Sequence, residues 1–173
     1  YDSNGVKLWS VQHGTSAKDV IFAVATDTSG NVFISGYTAG NLDSNTSSGG
    51  DDLILIKYNS SGTRQWTKQY GSSGSDYARG VSLDSSGNIY VVGDTSGGLG
   101  SNSNSGSEDL FLIKYDSSGN LQWTKQLGTF TNDVAFDVAT DSSGNSYVTG
   151  YTGGSLDSNT HSGELDLFLV KYD

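Results

Sequence analysis

The feature that most constrains this chain is a period of 57 residues. Trp9, Trp66 and Trp123 keep that step, as do Lys57, Lys114 and Lys171, and Tyr1, Tyr58, Tyr115 and Tyr172. The 173 residues divide without gaps into units 1–57, 58–114 and 115–171, followed by two residues of a fourth. Units one and three are identical at 33 of 57 positions. With 29 Ser and 24 Gly, the composition without a repeat would read as disordered. Strict repetition reads instead as copies of one supersecondary unit stacked on each other.

Each unit holds four runs rich in β-branched and aromatic residues, bounded by Gly, Ser, Asn and Asp. In the first unit they are DVIFAVAT (19–26), NVFISGYT (31–38), DLILIKY (52–58) and, across the unit boundary, RQWTKQY (64–70). The third run is apolar on both faces and predicts a strand covered on both sides. No segment shows the 3.6-residue period of an amphipathic helix. The fold class is all-β.

The connections agree. DTSGN (27–31) and its repeats join first to second strands, and NSSG (59–62) and its repeats join third to fourth. Gly at the end of each supplies the positive φ of a tight hairpin, and the leading Asp or Asn accepts from the backbone two residues on. The link from Ala39 to Asp52 is longer, polar throughout, and of a length that is usually functional or mobile.

Four antiparallel strands repeated as one unit describe a β-propeller blade. A β-solenoid is the competing architecture, but its coils are much shorter than 57 residues. Simple alternation along the first strand puts Ile21, Ala23 and Ala25 on a slim axial face and Val20, Phe22 and Val24 on a blade-packing face. The motifs DSSGNSYVTGYT (141–152), DLFLVKYD (166–173) and DSSGNLQWTKQLG (116–128) resemble the bacterial SBBP repeat, named for a seven-bladed β-propeller. The resemblance covers nearly the whole chain. It implies a propeller in large secreted or surface proteins of bacteria, and it supplies no catalytic residues.

Three blades are fewer than the roughly four to eight of a closed propeller. The chain opens on a fourth-strand segment (Gly5–His13) and ends on a third strand (Asp166–Tyr172). The expectation is therefore a homodimer in which two chains close one six-bladed ring, the alternative being a piece of a longer chain. An isolated arc would expose sheet edges.

The charge balance excludes other classes. Nine basic against 19 acidic residues give a net charge of −10, the wrong sign for nucleic acid. Without cysteine there is no disulfide framework, thiolate nucleophile or cysteine-type zinc site. No apolar run approaches the roughly 20 residues of a membrane helix. His13 and His161 lie at different repeat positions, with no nucleophile elbow or paired-histidine motif nearby. The chain reads as non-enzymatic.

Candidate sites follow from the repeat. In the long links, Asp43, Asn45 and Asp52, and likewise Asp157, Asn159 and Asp166, offer oxygen ligands that suit calcium. The alternative is a polar loop with Asx-turns. Tyr37, Asp94 and Tyr151 close the second strands on the face where propellers bind ligands, here a saccharide or a protein; Tyr37 and Tyr151 packing between blades is the plainer reading. Arg79 stands where the other units have Phe22 and Phe136, and Asp137 where they have Ala23 and Gly80. These two would line a charged channel or form an incidental ion pair. The tryptophans read as packing between blades, with an aromatic belt for sugars as the alternative. The function expected is a ligand-binding or interaction scaffold, extracellular or on the cell surface. Its rival is a purely structural repeat that self-assembles head to tail.

Overall fold

The computed structural model describes residues 1–173, which form three antiparallel sheets. The first is β1 (Asp19–Thr26), β2 (Val32–Thr38), β3 (Asp52–Tyr58) and β4 (Arg64–Tyr70), paired in chain order. The second repeats it with β5 (Asp76–Leu83), β6 (Ile89–Thr95), β7 (Asp109–Tyr115) and β8 (Leu121–Leu127). The third has only β9 (Asp133–Thr140), β10 (Ser146–Thr152) and β11 (Asp166–Tyr172), leaving one edge of β11 unpaired. The strands fall where the composition of each run places them.

The turns hold as their chemistry requires. Asp27, Asp84 and Asp141 each accept from the backbone N–H two and four residues on, at 2.9–3.0 Å. Gly30, Gly87 and Gly144 then take φ of +76° to +85°, where a side chain would be strained.

Faces of neighbouring sheets pack on each other, as blades do. Phe33, Leu53 and Leu55 of the first blade share one core with Ala78, Val81, Ile89 and Val91 of the second. Tyr90, Leu110 and Leu112 of the second share another with Ala135, Val138 and Val148 of the third. Trp66 and Trp123 flank these two cores, edge-on to Phe33 and Tyr90 at 6.1 and 6.3 Å. Packing, not a belt on the surface, is what these tryptophans do.

Two details differ from the alternation read off the sequence. Each innermost strand carries a bulge, at Phe22, Arg79 and Phe136, where the pairing skips a residue. A bulge reverses the faces beyond it. Ala78 and Ala135, expected on an axial face, are buried in the blade interfaces, while Phe22, Arg79 and Phe136 leave the packing face and meet along the inner rim. The bulge brings its strand close to the second strand. A Cβ on Gly36, Gly93 or Gly150 would stand 1.7–1.9 Å from the carbonyl oxygen of Val20, Tyr77 or Val134.

The second difference is at the start of the chain. Gly5–His13 is not part of any sheet, because the sheet it would extend is not there. Its tryptophan nevertheless sits as a fourth strand's does. A Cβ on Gly62 would touch the Trp9 ring at 2.8 Å, as one on Gly119 would touch Trp66 at 3.0 Å. Trp9 also donates from Nε1 to the Ser60 carbonyl at 3.1 Å.

Candidate functional site

The bulge residues create the most distinctive surface of the arc. In blades one and three the bulged phenylalanine lies against the tyrosine near the end of the second strand, Phe22 on Tyr37 at 5.7 Å and Phe136 on Tyr151 at 5.6 Å. In blade two both positions change together, and Arg79 forms an ion pair with Asp94. The Arg79 guanidinium lies 5.5 Å from the Phe22 ring, 5.8 Å from Phe136 and 5.6 Å from Tyr77. A cation flanked by two half-exposed rings thus runs across the inner edges of all three blades.

The pair is largely removed from water, with the Asp94 side chain 1% exposed. Burial works against the Arg79 charge, but the hydrogen bond and charge of Asp94 outweigh it and raise the guanidinium's pKa. For Asp94 the balance is opposite: burial outweighs Arg79, and its pKa is raised too. The carboxylate is the more deeply buried partner, so burial prevails at Asp94 while pairing prevails at Arg79.

Next to this run, Tyr37 is buried between blades one and two, edge-on to Tyr77 at 4.8 Å, with the Lys18 ammonium 5.2 Å from its ring. Tyr77 donates its hydroxyl to Asp51 at 2.9 Å. The sequence candidates Tyr37, Arg79, Asp94 and Tyr151 are therefore brought to one rim. Asp137 stands apart, accepting from the N–H of Val138 at 2.9 Å.

The long links do lie at the end of the blades where one blade passes to the next. Gly50 N–H donates to the Gly74 carbonyl and Asp76 N–H to that of Asp51. They are tacked down rather than loose. Leu42, Leu99 and Leu156 are buried. Asn45, Asn102 and Asn159 each donate from Nδ2 to the carbonyl of the leucine three residues before, at 2.7–2.9 Å.

The residues expected to hold calcium engage the protein's own groups in this structure. Asn45 and Asn159 donate their Nδ2 groups to the loop itself. Asp52 takes the Ser48 N–H and the Gln69 amide, and Asp166 takes the Ser162 N–H and faces His161. Asp43 is held by His13, Arg64 and Thr67. Asp157 has a left-handed backbone, φ 49°, and borders the open edge of the third blade. No group of three or more His, Cys, Asp or Glu converges where a metal ion would sit.

Sequence reasoning missed two recurring locks. Asp19, Asp76 and Asp133, which open the innermost strands, accept from Thr38, Thr95 and Thr152 of the neighbouring strand. Gln69 bridges the Leu42 N–H, the Gly40 carbonyl and Asp52, and Gln126 repeats this on Leu99, Gly97 and Asp109. The signal for both lay in their strict 57-residue recurrence.

Comparison with known proteins accords with this architecture. The chain is similar to an uncharacterized WD repeat-containing protein of Acanthamoeba polyphaga mimivirus, 24% identical over 85% of this chain and 13% of that one. It is also similar to the regulatory protein FlaEY of Caulobacter vibrioides, 31% identical over 59% of this chain and 12% of that one. The chain thus spans about an eighth of either relative's length. The SBBP family model, described as a beta-propeller repeat, matches at residues 8–43, 65–100 and 122–157, three times in register with the blades. The chain belongs to the SBBP β-propeller repeat family.

Proposed function

We propose that this chain is a non-enzymatic interaction scaffold whose inner rim recognises a protein segment or a saccharide. The carrying observation is the run Phe22, Arg79 and Phe136, where two half-exposed rings flank a guanidinium already neutralised by Asp94. Such a surface favours planar or apolar groups with hydrogen-bonding edges over a simple anion, because the charge of Arg79 is spent. Similarity to a WD repeat-containing protein supports a repeat scaffold. The family resemblance supports a place outside or on the surface of a bacterial cell.

The test is a glycan array and a peptide array probed with the chain and with Phe22→Ala and Phe136→Ala. A ligand retained by the chain and lost from both variants supports the rim. No ligand at millimolar concentration overturns it.

A second reading is assembly without a ligand. The unpaired edge of β11 favours it, since an open apolar edge invites another chain.

A further inference from the structure

β3 carries β4 and β7 carries β8, but the outer edge of β11 carries nothing. A groove of about 670 Å³ runs along that edge, bounded by Gly154, Leu156, Asp157, Asp166, Leu167 and Leu169. Its apolar residues are misplaced for a free surface. Leu167 and Leu169 are 88% and 66% exposed, whereas their counterparts Leu53, Leu55, Leu110 and Leu112 are 0% exposed.

The other end of the arc is the complement. Ile21 and Val24 are 43% and 64% exposed, while their counterparts Ala78 and Val81 are 0% and 7% exposed beneath the preceding blade. Trp9 and Val11 hang over this bare face. Together with Val24, Val32, Ile34 and Tyr58 they line an apolar cavity of about 270 Å³. In the middle of the arc, the space corresponding to that cavity holds Leu53 and Leu55 of the preceding blade.

The polar groups match as well. The third blade's counterparts of the atoms that Gln69 and Gln126 bridge are the Gly154 carbonyl, Asp166 and the Leu156 N–H. No glutamine reaches them, and the Leu156 N–H turns back to the Gly154 carbonyl at 3.0 Å. One period before Gln69 stands Gln12, whose side chain makes no hydrogen bond. Asp43 is held by Arg64 and Thr67 of its fourth strand. Its counterpart Asp157 lacks both, and one period before Arg64 and Thr67 stand Lys7 and Ser10.

We propose that the groove is filled by a second copy of this chain: residues 7–13 of one copy form the fourth strand of the other's third blade. Gln12 seats on Gly154 and Asp166, and Lys7 meets Asp157. The register follows from the two complete blades. Trp66 opposes Lys57, Lys68 opposes Leu55 and Gln69 opposes Ile54, so Trp9 opposes Lys171, Val11 opposes Leu169 and Gln12 opposes Phe168. Leu167 and Leu169 then enter the cavity beneath Trp9 and Val11, and reciprocal exchange joins two chains as six blades. Charge favours this occupant, since Lys7 brings to acidic Asp157 the cation that Arg64 brings to Asp43.

The inference rests on the assembly reading and names its partner and register. It is tested on the 173-residue chain, which has no cysteine of its own. Light scattering should give twice 18.2 kDa. Val11→Cys with Leu169→Cys should yield a covalent dimer under mild oxidation, because facing Cβ atoms of paired strands come within disulfide reach. Val11→Cys with Lys171→Cys, two residues out of register, should not. Leu167→Glu with Leu169→Glu should weaken dimerisation on the order of 100-fold. Both side chains are exposed in the single chain, so unchanged circular dichroism shows that the fold survives. A monomer at millimolar protein overturns both the assembly reading and this inference, and leaves the groove to a strand from elsewhere. A dimer that cross-links equally in both cysteine pairs, or not at all, overturns the register alone.

Discussion

Arg79 and Asp94 occupy in the second blade the two positions held by Phe22 and Tyr37 in the first and by Phe136 and Tyr151 in the third. One contact between a bulge and its neighbouring strand is therefore made by stacked rings twice and by an ion pair once. The exchange is an experiment in what a bulge can bury.

Breaking the pair from one side should be worse than removing it. Arg79→Ala leaves the buried Asp94 carboxyl without its cation, and should destabilise the chain by about 3 kcal/mol. Arg79→Phe with Asp94→Tyr, which copies the flanking blades, should recover most of that loss. Urea denaturation of the three proteins decides; equal losses in the single and double variants would contradict the account.

Gly93 is fixed by the bulge opposite it. Gly93→Ala places a methyl 1.7 Å from the Tyr77 carbonyl, so the inner strand must move. The expected loss is about 3 kcal/mol, at the upper end for overpacking. Gly144→Ala tests turn geometry instead. Nothing lies within 4 Å of its added Cβ, and only the positive φ opposes it. It should cost about 1 kcal/mol.

Asp141 titrates far from a free aspartate. The Asn145 side chain, the backbone N–H groups of Asn145 and Ser143 and the Tyr147 hydroxyl hold its pKa at about 2, below the ordinary 3.8. A carboxyl with a lowered folded pKa stabilises the fold above its unfolded value and loses that contribution as pH falls through the folded one. The third blade's turn should therefore loosen between about pH 4 and pH 2. Asn145→Ala removes the largest cause and should move the Asp141 carboxyl resonance to titrate closer to 3.8. An unmoved titration curve in the variant would refute the assignment.

Trp66 packs against Phe33 and covers Gly119 of the next blade, so Trp66→Ala should cost about 3 kcal/mol in thermal or urea unfolding. A loss below about 1 kcal/mol would show a ring held at the surface.

The period, the strands and the turns were legible because each rests on local chemistry that repetition states three times. DSSGN dictates its own turn, and DLFLIKY dictates a strand covered on both faces. The bulge had a signal that alternation overrode: a glycine inside every second strand, at Gly36, Gly93 and Gly150, marks a close approach of backbone. The contacts of the acidic links were not legible, because Asp43, Asn45 and Asp52 look the same in sequence whether they bind a cation or the protein's own amides.

What the sequence determined by itself is the blade: four runs, their order and their hairpins, all set by residues near one another along the chain. Only the tertiary structure decided which faces the inner strands present, because a one-residue bulge reverses every side chain beyond it. It also decided what the carboxylates do, since Gln69 and Arg79 lie 17 and 15 residues in sequence from the Asp52 and Asp94 they meet. Local propensity has no information at that range, and packing does.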